Sequence, residues 1–419
     1  MRFFNTTRRA AQCIAIMLLL ATMLPMGVRA QWQPNEKIVS PNRALVDPEF
    51  SQNLALMAWT HLDGTLYLGN VNRDTGALEP TTGMGMPIAT GVFNAGLRLI
   101  FNGPEWMDTI AGDQLFFTYW GPGPSREMSN TRIALAGQDA SGNWVVRPMS
   151  PYRPRHMGIT SQTPGDPNPQ VMYWDPKLNY YWRNAWDAGS EQPLPFLKPA
   201  AKAWRFVTGM RAIIYSAPVD GVVQVFTYQL DTGVHTQMTF DDGDKDTGRQ
   251  VPWMWRAPEF DNDYVFSTFV NQSELRVYRK LEDTDGVRRW TKVFSFQQPN
   301  GIINSVQYFI YNNKSYLYWG VYEDGRDWPT QIWMSNIDAN DPLTRRISPT
   351  DKWRARSDPE HFITNNLGPV VYFNRYDPAK DPTGDHPMCP ACSEGLFMID
   401  AGLLGRWQRW SLSSLQTSW

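Results

Sequence analysis

Nineteen Trp, seventeen Tyr and twenty Phe are a heavy aromatic load for a 419-residue chain that is only 19% charged. In an all-β protein such rings fill the space between sheets or form sugar-stacking platforms, and about two-thirds or more of them are assigned to packing by the area each buries. With residues 1–30 set aside, 35 Lys and Arg stand against 41 Asp and Glu, a charge of −6 that excludes nucleic acid as a partner, because phosphate binding needs a basic surface.

Residues 1–30 read as a cleavable secretion signal. Arg2, Arg8 and Arg9 precede an apolar run over 13–24, and Val28-Arg29-Ala30 sets small residues at the −3 and −1 positions of a cleavage site. The run is too short to span a bilayer and Cys13 precedes it, so neither a membrane span nor a lipoprotein site is indicated. Thr7-Arg8-Arg9 leaves a twin-arginine signal open beside an ordinary basic leader. A secreted or periplasmic monomer is expected. Residues 31–46 read as a polar lead-in that also supplies an outer strand, and 47–419 as the folded domain.

That domain carries a period. Pro48-Glu49-Phe50, Pro104-Glu105-Trp106, Pro258-Glu259-Phe260 and Pro359-Glu360-His361 share a Pro-Glu-aromatic core, and Pro154-Arg155-His156, Trp204-Arg205-Phe206 and Val306-Gln307-Tyr308 fill the gaps. Steps of 48 to 56 residues between the central positions give seven units of propeller-blade length. Within a unit the hydrophobic runs alternate and are split by turns such as Asp63-Gly64 and 74–76, which is hairpin grammar. The expected fold is all-β, a seven-bladed β-propeller with four-stranded antiparallel blades, because a closed ring leaves no free sheet edges. Innermost strands are expected to begin near Phe50, Trp106, His156, Phe206, Phe260, Tyr308 and His361. The long connections 121–130, 322–330, 375–395 and 241–256 then share one face, and the triplets are expected to open at that same face.

If the triplets are equivalent, Glu49, Glu105, Arg155, Arg205, Glu259, Gln307 and Glu360 ring the channel mouth, with Glu360, Glu49 and Glu105 on neighbouring blades. Carboxylates on adjacent inner strands stand roughly 6 to 10 Å apart, a range that glycosidases use, and their crowding raises proton affinity. The alternative is architectural: each Glu accepts hydrogen bonds from the next blade and stitches the ring.

Val46-Asp47-Pro48-Glu49, Asn102-Gly103-Pro104-Glu105-Trp106 and Trp255-Arg256-Ala257-Pro258-Glu259-Phe260 resemble the blade-opening segments of arabinanase- and xylosidase-type propeller glycosidases, and also TolB-type propeller repeats. The glycosidase resemblance implies Asp47 as base and Glu105 as acid. It covers short openings only. Those enzymes have five blades, and their acid Glu precedes the Gly-Pro where this chain has Asn102.

The remaining candidates follow from position. Arg155 and Arg205 either clamp an acidic sugar or pair with Glu105 and Glu259. His61, His156 and His361 are expected on one face without metal-ligand spacing, so no metal site is assigned to them. Trp106, Tyr119, Trp120 and Arg126 are expected to line a sugar subsite beneath the 121–130 loop. Asp242, Asp244 and Asp246 alternate as calcium ligands do, but lack a distal bidentate Glu; otherwise no cofactor is expected. Cys389-Pro390-Ala391-Cys392 lies in a loop, which favours a structural disulfide over thioredoxin chemistry. The expected function is carboxylate-dependent hydrolysis of an extracellular glycan. Two alternatives are a non-catalytic propeller that binds a protein or cell-envelope polymer, and a lyase acting on a uronate polymer.

Overall fold

The computed structural model describes residues 35–404 apart from 94–102, 151, 198–202, 246–250, 283–284, 324–325, 327, 339–342, 352, 382–388 and 390. Seven antiparallel sheets follow one another along the chain, and no α-helix occurs among the described residues. Blade one runs from its inner strand Leu45–Ser51 through Leu56–His61 and Leu66–Val71 to Leu78–Glu79, with Met86–Ala89 also pairing on the third strand. Blades two to six repeat this order from inner strands Glu105–Met107, His156–Thr160, Ala203–Phe206, Trp253–Ala257 and Gly301–Tyr311. The expected seven-bladed architecture is present, and Glu36–Ser40 in the lead-in pairs antiparallel with Ser393–Asp400 as the outer strand of blade seven.

Local chemistry explains the hairpins. At the turn between Leu56–His61 and Leu66–Val71, Gly64 takes φ 82°, which a side chain resists, and Asp63 Oδ1 accepts the Thr65 N–H at 2.8 Å. Most inner-blade strands are buried on both faces because each sheet packs between two others. Trp59, Met57 and Tyr67 of blade one meet Phe362, Val370 and Tyr372 of blade seven, and Trp255, Val265 and Val277 of blade five meet Leu317 and Trp319 of blade six. Much of the aromatic load is therefore packing. Trp59, Trp255 and Trp319 are fully buried, and truncating any of them to Ala costs about 3–5 kcal/mol.

The phase of the triplets differs from expectation. His156 does open its inner strand and Trp106 is second in its own, but Phe50, Tyr308 and His361 lie well inside theirs and Phe206 ends one. Phe260 follows its inner strand, in the 3₁₀ turn Pro258–Phe260, because Pro258 has no N–H for the ladder and suits the first position of a turn. Bulges shift the others. Asp47, Ser305 and Asp358 take φ 57°, 48° and 56° in the middle of inner strands, each just before a break in register. The strand ends that flank the four long connections lie at the face where inner strands begin. Glu49 and Glu105, however, stand two residues from the far ends of their strands, so they lie nearer the opposite face.

Candidate functional site

Asp47-Pro48-Glu49 and Asp358-Pro359-Glu360 are copies of one bulge on neighbouring blades. The left-handed Asp and the following Pro set Asp and Glu where both feel the same field inside the ring. Glu105 of blade two joins them, and Glu105 and Glu360 are only 7% and 8% exposed. Burial, then the Asp358 charge and its shared hydrogen bond, then Glu105 and Glu360, push the Asp47 carboxyl well above its ordinary value. Burial and the charges of Glu360, Glu105, Asp47 and Asp358 do the same to Glu49. Glu360 is raised by burial and by Asp358, against the Gln307 amide that donates to it and the charge of Arg205. Asp358 is raised less, because burial is opposed by its hydrogen bond with Asp47. Asp47 and Asp358 therefore share a hydrogen bond as a pair that binds a proton more tightly than an isolated carboxylate.

Asp47 and Glu49 are set deep between blades and are only partly exposed, and Asp47 Oδ2 is buried without a hydrogen-bond partner. Gly103 explains how blade two comes so close: a Cβ there would stand 1.6 Å from Asp47 Oδ2, so the Gly-Pro opening must lack a side chain. Gln307 is an internal control. It occupies the same bulge position in blade six, bonds to Tyr318 Oη at 2.8 Å and donates to Glu360, and it stitches the ring with a neutral side chain. Carboxyls at 49 and 360 exact a desolvation cost that an amide avoids.

The other candidates divide. Glu259 is a stitch: its oxygens accept Ser315 N and Ser315 Oγ, both at 2.9 Å, from blade six. Arg155 pairs with Glu191 at 3.1 Å and lies over Tyr181. Arg205 faces the interior, with its guanidinium 4.0 Å above the Trp253 ring and its Nε without a hydrogen-bond partner. Trp106 is core, 8% exposed, with its indole donating to Glu49 O at 3.0 Å. Tyr119 and Trp120 end the second strand of blade two. Glu105 pairs opposite Phe116, so Trp120 lies about 13 Å further along the strand. Trp120 packs on Phe93 under Arg126, which is 5.5 Å from its ring centre.

His61 pairs locally with Asp63 at 3.0 Å at the rim. His156 is caged by Phe93 and Trp174, and burial drops its pKa to about 3. His361 meets Tyr318 Oη at 3.1 Å, and burial lowers it to about 4. In the acidic loop, the backbone carbonyls of Asp241, Asp242 and Gly243 hold the buried ammonium of Lys245, and Asp244 Oδ1 accepts Val223 N at 2.9 Å. Asp246 and Asn102 lie outside the described residues. Cys389 and Cys392 are joined in a disulfide. Among the described residues, Asp381 with these two cysteines is the group that brings three ligand-type atoms within 4.8 Å of one another.

Sequence reasoning named Asp47 and missed Asp358, although Asp-Pro-Glu occurs at both 47–49 and 358–360. Tyr318 was equally silent, since only the fold brings it to Gln307 and His361.

No protein-family model and no curated relative matches this chain. Among solved structures, the Myceliophteria thermophila Cps50 (Swd1) β-propeller domain is similar with a TM-score of 0.52 at 9% identity, over 88% of this chain and all of that domain. The Dos1 propeller gives a TM-score of 0.45 at 9% identity over 85% of this chain and 78% of its own. The first likeness is one of fold alone.

Proposed function

We propose that this chain is an exported glycan-active propeller that hydrolyses glycosidic bonds by acid–base chemistry inside its ring. The observation that carries the reading is the cluster of carboxyls Asp47, Glu49, Asp358 and Glu360 at matched bulges of neighbouring blades, with Glu105 beside it and no ion pair to Lys or Arg within the first four among the described residues. Glu49 takes the role of acid. Burial and the charges of Glu360, Glu105, Asp47 and Asp358 raise its proton affinity, as a general acid requires, and its side chain is only partly covered. It would protonate the leaving glycosidic oxygen while Glu105 on the next blade takes a proton from water attacking the anomeric carbon, so the two carboxyls exchange one proton per turnover. The Asp47–Asp358 pair, with two carboxyls on one shared hydrogen bond, supplies the negative field that keeps the proton on Glu49 and stabilises positive charge at the sugar ring.

The experiment compares wild type with Glu49→Gln and Glu105→Gln for product release from neutral and acidic glycans, with melting temperature measured alongside. Turnover falls by about 10²-fold or more with the fold retained if the roles are right. Unchanged hydrolysis with altered stability, or wild type that binds a glycan without cleaving it, returns the protein to the class of binding propellers. The lyase reading draws on the contact of His361 with Tyr318 near Arg205. It is weakened by Tyr318 itself, whose hydroxyl is pushed well above its ordinary value by burial and by Glu360, and so resists ionising to the base a lyase needs.

A further inference from the structure

A second site lies away from the ring interior, at the rim where blades three and four meet. Asn168, Asn184, Trp186, Asp187, Ser190 and Arg211 line a shallow cleft of about 590 Å³, within the range of small-ligand sites. It sits on the face where inner strands end, the face that Glu49 and Glu105 lie nearer. Trp186 is the unusual member, a large indole left 41% exposed. Its loop is built to hold it there. Asn184 Oδ1 accepts the Trp186 N–H at 2.8 Å, Ser190 Oγ accepts Asn184 N at 2.9 Å and donates to Asp187 O at 2.7 Å, and Asp187 Oδ1 accepts Gly189 N at 2.8 Å. A platform fixed in this way loses little entropy on binding.

The charges select the ligand class. Arg211 is committed to Asp231 through Nε at 2.8 Å, and Asp187 offsets Arg147 beside Trp186, so the charges balance and nothing selects an anion. A cation meets the Arg147 guanidinium 5.7 Å from the Trp186 ring centre, where an aromatic cage for an ammonium group would need free faces. What fits is a flat apolar face edged by hydroxyls: the C–H face of a sugar ring on the indole, with the Asn168 and Asn184 amides and the Asp187 carboxylate at its edge as donors and acceptors. We propose that this cleft is a neutral-oligosaccharide subsite that holds a glycan chain at the rim. It shares the glycan reading of the ring interior but not its chemistry.

The test uses the full mature chain in native gels cast with xyloglucan, galactomannan or mixed-linkage β-glucan, with alginate and polygalacturonate as anionic arms. Wild type is expected to be retarded by at least one neutral polysaccharide, and Trp186→Ala to lose about tenfold or more of that affinity, a usual scale for losing one stacking ring. Asn184→Ala, which frees the loop, should weaken binding less, and both variants should melt within a few degrees of wild type. Retardation by the anionic polymers only, by none, or equally for wild type and Trp186→Ala overturns the proposal. Retardation that depends on Trp186 without any product release leaves this subsite standing and removes the hydrolase reading, so the two fail separately.

Discussion

Blade seven buries acidic side chains in two places and treats them in opposite ways. Around the closing strand, Glu36 accepts from Arg356 of the inner strand and from Arg375 Nη1 at 2.9 Å, and Glu394 accepts from Arg375 Nε at 2.6 Å and Arg354 Nε at 2.9 Å. At its inner edge, Asp358 and Glu360 face Asp47 and Glu49 with carboxyl against carboxyl. Charge matched by guanidinium is architecture, since it fixes one strand pairing against alternatives. Charge set against like charge lowers no folding energy, and in the function proposed above its occurrence at matched bulges on two blades serves proton transfer.

The largest effect should come from breaking the matched half. Arg356 is fully buried, and Arg356→Met leaves Glu36 with Arg375 alone and takes a donor from the Thr330, Asp351 and Arg354 carbonyls, so urea unfolding should show a loss of about 3–5 kcal/mol. A loss under 1 kcal/mol would erase the distinction between the two halves. The unmatched half should respond in activity instead: Glu360→Gln is expected to slow hydrolysis by about tenfold or more while leaving the melting temperature unchanged or higher, because an amide there removes like-charge repulsion.

Gly103→Ala sharpens the contact that gathers the acids. A methyl group 1.6 Å from Asp47 Oδ2 must displace blade two or the carboxyl, at about 1–3 kcal/mol of stability, and Asp47→Ala in the same chain should relieve part of it. Purely additive losses would place the clash elsewhere.

The smallest effect is a slope. Asp47 and Asp358 bind protons more tightly folded than unfolded, so their contribution is complete below the ordinary carboxyl value of 3.8 and is lost as pH rises through the folded value. Wild type should lose stability with rising pH by up to about 1.4 kcal/mol per pH unit for each proton released. Asp47→Asn with Asp358→Asn should flatten that part of the profile, read from urea midpoints at several pH values. Identical slopes would mean that the pair is ionised when folded.

The blade count was legible because every hairpin is a local event: Asp63-Gly64 and its relatives close neighbouring runs of alternating residues, and their spacing alone requires seven units. The closing role of the lead-in was legible too, since residues 31–46 had a strand to offer and a ring needs its last sheet completed. Period does not determine phase. Left-handed residues at 47, 305 and 358 and the proline turn at 258 move equivalent triplets to different depths, so Glu259 stitches a loop, Arg155 turns to Glu191, and Glu49 and Glu360 meet inside. Which carboxyls converge depends on side chains more than three hundred residues apart in the chain, Asp47 against Asp358 and Glu49 against Glu360. Only closing the ring brings them together, and only then does shared burial change what they can do with a proton.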